Sequence, residues 1–269
     1  MSQAQGHRLR DGGFPAPAEV RSPGVLIVGG GISGLSAAWR LAKAGVDDFL
    51  LLEMESETGG NSRSGHSPLV AYPWGAHYLP LPTREASWVR ELLGELGVLQ
   101  GDPGADRPLY DERYLCATPQ ERVFRNGLWE EGLLPHRGID AGERDQQRRF
   151  HERMDALKRA TGRDGRRVFA IPMELSSHDP EWLALDRISF AQWLNDNGFT
   201  APTVHWLANY ACRDDYGMVH EQTSAWAGLH YFSCRTGEAA NAAGDPCSPR
   251  RRAMPGWHGG WPAGRPGAS

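Results

Sequence analysis

Val25-Leu26-Ile27-Val28-Gly29-Gly30-Gly31-Ile32-Ser33-Gly34, followed at Phe49-Leu50-Leu51-Leu52-Glu53 by a second apolar run that ends in an acid, decides the fold of this chain. It reads as strand, glycine turn, helix and strand, the βαβ pattern of a dinucleotide site. The run Val25–Val28 predicts a strand buried on both faces of a parallel sheet. Gly29 allows the tight turn. Gly31 lets a pyrophosphate approach the backbone, and Gly34 lets helix and strand pack closely. Gly30, Ile32 and Ser33 complete the turn, and the amides that open the helix favour an anion. The helix is expected from Ile32 to Ala44, with Leu35, Ala38, Leu41 and Ala42 as its apolar face and Gly45 as its stop. Glu53 lies 19 positions after Gly34, close to the ~20 at which an acid accepts hydrogen bonds from a ribose. An acid there disfavours a 2′-phosphate, so NADP is not the expected ligand.

The fingerprint alone does not separate FAD from NAD. The segment after Glu53, with Gly59-Gly60-Asn61-Ser62-Arg63-Ser64-Gly65, resembles the flavin-containing amine oxidase and phytoene desaturase-like superfamily. In that superfamily a G-G-R-x-x-[ST] stretch lies along the FAD. The resemblance covers residues 24–80. It departs at Asn61, where the superfamily usually has Arg; Arg63, two positions on, is the candidate for that electrostatic role. Tyr72-Pro73-Trp74-Gly75-Ala76-His77-Tyr78 resembles the Gly-Ala-x-aromatic segment near the flavin ring. The resemblance therefore implies FAD as cofactor, with Gly59, Gly60, Asn61, Ser62, Arg63, Gly75, Ala76, His77 and Tyr78 along its flavin half. For His77 a purely structural role is the competing reading. No catalytic base is assigned.

The implied fold class is α/β: an FAD-type Rossmann sheet with an α-rich cap, lacking the C-terminal part of the FAD domain. The expected organisation is a flexible lead over 1–23, the first part of the FAD domain over 24–115, a cap and substrate region over 116–243, and a tail over 244–269. The implied function is transfer of hydride from a C–H of a small-molecule substrate to flavin N5. Two alternatives stand beside it: an NAD-dependent dehydrogenase, and a non-enzymatic remnant that binds nucleotide weakly.

The 269 residues carry a net charge of −4 and no basic arm, so no nucleic-acid partner is expected. No run approaches the ~18 apolar residues of a membrane span, and residues 1–24 do not read as a signal peptide; a cytoplasmic protein is the expectation. Cys116, Cys212, Cys234 and Cys247 show no C-x-x-C spacing, so no metal site is expected and reduced, buried thiols are. There is no G-x-S-x-G, H-E-x-x-H or G-K-[ST], which removes hydrolase, zinc protease and P-loop readings.

Further along, Thr83 is expected to cap a helix through Val89, Leu92, Leu93 and Leu96 that ends at Gly97. Asn126-Gly127 predicts a type I′ hairpin within 122–129. Residues 143–160 predict a charged helix whose stripe of Phe150, Met154 and Leu157 packs at the surface. A capped helix is expected over Asp186–Leu194, closed by Gly198, and another after Thr200 as cap, carrying Trp206, Leu207, Tyr210 and Ala211. The aromatics of Ser224–Phe232 are expected in the core. Asp214-Asp215 could pair as an acid/base or metal site, but with no spaced His or Glu to join them a solvated turn is the expectation.

From Gly244 to Ser269 there is no Val, Ile, Leu, Phe or Tyr. Such a segment cannot build a core, and two readings fit it: a disordered tail, or translation out of frame. Recombining the last base of each codon with the first two of the next, from Pro246 onward, permits V-L-T-S-P-E-G-N-A-W-L-A-R-R-L-A. The single codons for Met254, Trp257 and Trp261 force its three alanines. The shifted text has an aliphatic helix pattern, and its L-T-x-P-E-G-N-x-W-L stretch resembles bacterial members of the same superfamily.

Overall fold

The computed structural model describes residues 3–69, 71–76, 78–115, 121–242 and 254–255. Packing divides the chain between Tyr78 and Leu79 into two units. His77, Cys116, Cys247 and the shifted-frame segment, apart from the backbone of Met254 and Pro255, lie outside the described residues.

The N-terminal unit opens with helix α1, Gln3–Asp11. A flexible lead was the expectation here; the helix formers Gln, Ala, Leu and Arg outweigh Gly6 locally. Strand β1 (Val25–Val28) pairs in parallel with β2 (Phe49–Leu52), Val25 opposite Phe49 and Val28 opposite Leu52. Helix α2, Ile32–Lys43, crosses between them, and Gly45 ends it at φ +73°. The expected apolar face holds for Leu35, Ala38 and Leu41, which are half-buried, but Ala42 is exposed. Burial of β1 on both faces is not what the structure has. Only Ile27 is buried, and Val28 is 75% exposed. The reason is that the sheet has two strands among the described residues, so α2 covers one face and the other meets water. A second, antiparallel pair joins β3 (Ser64–His66) to β4 (Ala71–Pro73). Strand β5, Tyr78–Leu79, begins at the last residue of this unit and ends in the second.

The second unit is mostly helical. Helix α3 covers Ser87–Glu95 and leads into the strand pair β6 (Leu99–Gln100) and β7 (Leu109–Tyr110). Thr83 does not cap α3. Its N-cap is Ala86, and the Thr83 hydroxyl instead donates to the Ile171 carbonyl at 2.9 Å. Strands β8 (Arg122–Arg125) and β9 (Leu128–Glu131) form the expected hairpin. Asn126 and Gly127 take φ of +52° and +80°, as a type I′ turn demands.

The core lies among α4 (Ala141–Lys158), α6 (Phe190–Asp196), α7 (Pro202–Tyr216) and α8 (Ala225–Ser233), with the short α5 (Pro180–Leu183) beside it. Asp140 caps α4 by accepting from the Glu143 amide at 2.7 Å. Phe150, Met154 and Leu157 are not surface packing: all three are in the core. Their stripe is narrow, yet Phe150 meets Phe232 and Phe199 edge-on at centroid distances of 5.2 and 5.7 Å, and two large rings fill what a wider stripe would otherwise supply. The helix expected over Asp186–Leu194 is two pieces. A 3-10 turn ends at Arg187, and Ser189 then caps α6 through the Gln192 amide. Thr200 is not the cap of α7; Ala201 holds that position, Pro202 follows, and the Thr200 amide donates to Gln146 Oε1 at 2.6 Å. Ser224 caps α8. Gly228 on α8 has a ring where its Cβ would be, 2.3 Å from Phe190 Cδ1, so α6 and α8 touch through a missing side chain. Asp214-Asp215 is no turn. It lies in the last turn of α7, and Asp215 accepts from Arg235 at 2.9 Å.

Candidate dinucleotide site

The end of β1 and the start of α2 build the site. Gly29 takes φ +99°, and its amide donates to the Leu52 carbonyl at 2.8 Å. The chain therefore turns off β1 while still tied to β2. A Cβ on Gly34 would sit 1.9 Å from the Gly29 carbonyl oxygen, so the helix packs on the turn only because Gly34 has none. Gly31 is different. Its backbone is extended, φ −73° and ψ −176°, and a Cβ there would meet nothing within 4 Å. This open position is the N-cap of α2, where first-turn amides and the helix dipole favour an anion. Ile32 and Ser33 are exposed beside it.

Glu53 follows the last residue of β2. Its Oε2 accepts from the Gly30 amide at 2.7 Å, and its Oε1 from the Glu55 amide at 2.9 Å. The Glu55 amide foremost, then that of Gly30, and the charge of Arg63 in addition hold this carboxyl below the usual range. At neutral pH it is an anion and accepts only.

The segment 59–63 is strapped to the glycine turn. The Gly59 amide donates to the Gly30 carbonyl at 2.7 Å, and Gly31 and Gly59 form a parallel bridge. A 3-10 turn spans Gly60–Ser62. On its other side, the Ala76 amide donates to the Asn61 carbonyl at 3.0 Å, and the Trp74 amide to the Arg63 carbonyl at 3.2 Å. A Cβ on Gly75 would lie 2.7 Å from the Asn61 oxygen. Asn61 thus joins the site by its backbone, while the Arg63 guanidinium lies 3.6 Å from the Glu55 carboxylate. The structure brings together Gly29–Gly34, Glu53, Gly59–Arg63, Gly75 and Ala76. Tyr78 begins β5 at the end of the unit, and His77 is outside the described residues.

Two residues escaped sequence reasoning. Glu55 connects Glu53 to Arg63, and Thr58 Cγ2 occupies the space 2.8 Å from where a Gly30 Cβ would be. Neither has a spacing signal; both sit in a loop of mixed polar residues.

Other titratable groups cluster in the helical unit. His205 Nδ1 and His220 Nε2 are 3.0 Å apart, and His205 Nε2 lies 2.8 Å from the Phe199 carbonyl. A carbonyl only accepts, so that nitrogen carries the proton. His220 Nδ1 lies 2.9 Å from Glu221. Burial pushes the His220 imidazole down, and does the same to His230, whose Nε2 is 2.9 Å from the Ala170 carbonyl. Among the described residues no group of three or more His, Cys, Asp or Glu side chains has the placement of a metal site, and no helix is long and apolar enough to cross a membrane.

Residues 27–96 match the NAD(P)-binding Rossmann-like domain family. The chain is 36% identical over 111 residues to the peroxisomal N(1)-acetyl-spermine/spermidine oxidase of Bos taurus, covering 41% of this chain and 20% of that protein. It is 27% identical over 161 residues to polyamine oxidase 1 of Zea mays, covering 59% and 29%. Among solved structures it is similar to putrescine oxidase, with a TM-score of 0.54 at 17% identity, over 87% of this chain and 46% of that one. It is also similar to cyclohexylamine oxidase of Brevibacterium oxydans IH-35A, TM-score 0.54 at 19% identity, over 90% and 47%. The chain thus spans less than half the length of these solved relatives, and its matches cover under a third of the curated ones. The chain is thus similar in part of its sequence to polyamine oxidases and in fold to solved amine oxidases, and its N-terminal unit matches a Rossmann-like domain.

Proposed function

We propose that this chain is the dinucleotide-binding and cap portion of an amine oxidase-like flavoprotein, and that its ligand is FAD. The carrying observation is the open position at Gly31, set between the α2 N-terminus and an ionised Glu53. The pyrophosphate would lie over Gly31 and the amides of Ile32 and Ser33. Glu53 would accept from the adenosine ribose. Gly59–Arg63, Gly75 and Ala76 would follow the flavin half, with His77 and Tyr78 nearer the ring. Bound flavin supplies an acceptor for hydride from a substrate C–H. The polyamine and amine oxidase relatives support a small amine as the substrate class. The chain's own task is to bind and orient the nucleotide.

Nucleotide bound to the purified chain, released by denaturation and separated by chromatography, tests this reading. FAD is expected. NAD or NADP without flavin sinks it and revives the dehydrogenase alternative. The frame change proposed at Pro246 rests on codons, and the gene sequence decides it: a downstream frame that meets an early stop, or encodes no aliphatic helices, removes it.

A further inference from the structure

The dinucleotide site holds a cation that the glycine turn does not require. Arg63 follows the strapped 3-10 turn, and its guanidinium lies 3.6 Å from the Glu55 carboxylate, both side chains 21% exposed. Its main chain is close to the phosphate position. A Cβ on Gly59 would lie 3.4 Å from Arg63 Cα, and Gly59 itself bridges Gly31. The Glu55 amide in turn holds Glu53 Oε1 at 2.9 Å. One loop therefore carries a ribose acid, a second acid and a cation, all beside the open helix N-terminus.

The charges are out of balance for an anionic ligand. Glu53 and Glu55 both repel a pyrophosphate, and of the groups in this loop only Arg63 and the α2 dipole attract it. While Arg63 faces Glu55 its charge is spent within the protein. A partly exposed ion pair of this kind is weakly held, and a phosphate offers guanidinium a better, bidentate partner.

We propose that the Glu55–Arg63 pair is an exchangeable clasp: Arg63 leaves Glu55 for the dinucleotide phosphate, and Glu55 is an internal competitor that sets the affinity. This rests on the assignment of the site to a dinucleotide, and adds to it a residue that weakens binding by design of its charge. Both side chains are partly exposed, so each variant is expected to keep the fold.

Calorimetric titration of the whole chain with ADP, which carries the adenosine and the phosphates without the flavin, tests it. Glu55→Gln is expected to tighten ADP binding about threefold, the scale of a partly exposed ion pair. Arg63→Gln is expected to weaken it about tenfold, the lower end for a charge-assisted contact, and to reduce its salt dependence; Arg63→Lys restores part of the loss. A gain of affinity in Glu55→Gln cannot come from misfolding. Unchanged affinity in both variants overturns the clasp while leaving the site assignment intact, and so does weaker binding in Glu55→Gln, which would make Glu55 a support for Arg63. If the wild-type chain binds no ADP, the site assignment fails first and the clasp with it.

Discussion

Glu53 Oε2 accepts from the Gly30 amide at 2.7 Å, so the acid at the end of one strand closes the glycine turn at the end of its neighbour. The same carboxylate that would receive a ribose is already part of the wall that shapes the phosphate position. If the proposed site holds, ligand recognition and local architecture share one side chain.

Glu53→Ala should therefore weaken nucleotide binding by about 1.5–3 kcal/mol, the range for a hydrogen bond to a charged group, which is ten- to a hundredfold or slightly more. Glu57→Ala should leave it unchanged. Titration with ADP or FAD compares the two, and equal losses would place the ribose contact elsewhere.

Gly31 and Gly34 should respond in opposite ways to the same added methyl. Gly31→Ala has room and an ordinary backbone conformation, so the protein should keep its melting temperature and lose nucleotide affinity. Gly34→Ala would drive a Cβ to 1.9 Å from the Gly29 oxygen and should destabilise the unit even without ligand. Melting curves and ADP titration on both variants check this. Loss of stability in Gly31→Ala would mean that the open position is structural, not a ligand seat.

What the sequence made legible was whatever is decided within a few residues. The β1–α2–β2 order, the stop at Gly45, the hairpin at Asn126-Gly127 and the acid at 53 all follow from local geometry. Helix starts were less legible. Thr83 and Thr200 look like caps, but a carbonyl 88 residues away takes one hydroxyl and a glutamine of α4 takes the other residue's amide. The exposure of β1 was hidden for the same reason, because burial depends on what else packs on the sheet. Glu55 was invisible because its role is a charge contact across a loop, with no period or spacing to mark it.

The described thiols should be inert. Burial pushes Cys212 up to about 11 and Cys234 up to about 12, so little thiolate exists at pH 8. Iodoacetamide should label neither in the native protein and both after denaturation, read by peptide mass mapping. Rapid native labelling of either would place it at the surface.

Acid should loosen the helical unit. His220 and His230 both have their pKa lowered in the folded chain, by burial foremost. The unfolded chain then binds more protons as pH falls below about 6.5. Their contribution is present above that value and is lost as pH falls toward the folded values. Melting temperature should drop between pH 7 and 5, and His230→Gln should flatten that drop. A melting temperature that rises with acid in this window would mean that Glu221 holds His220 charged in the native state.

No residue of α2 is fully buried, while α8 alone buries Ala225, Gly228, Leu229, Tyr231, Phe232 and Ser233. Local opening tracks buried apolar contact, so the two units should release their amide protons on different schedules. In deuterium, the amides of β1 and α2 should exchange early and those of α7 and α8 late. A nucleotide held at Gly31 would bind the closed state only, and so would slow the early set. The thin packing of this βαβ unit thus makes it a built-in reporter: its exchange rate registers occupancy without any label or turnover.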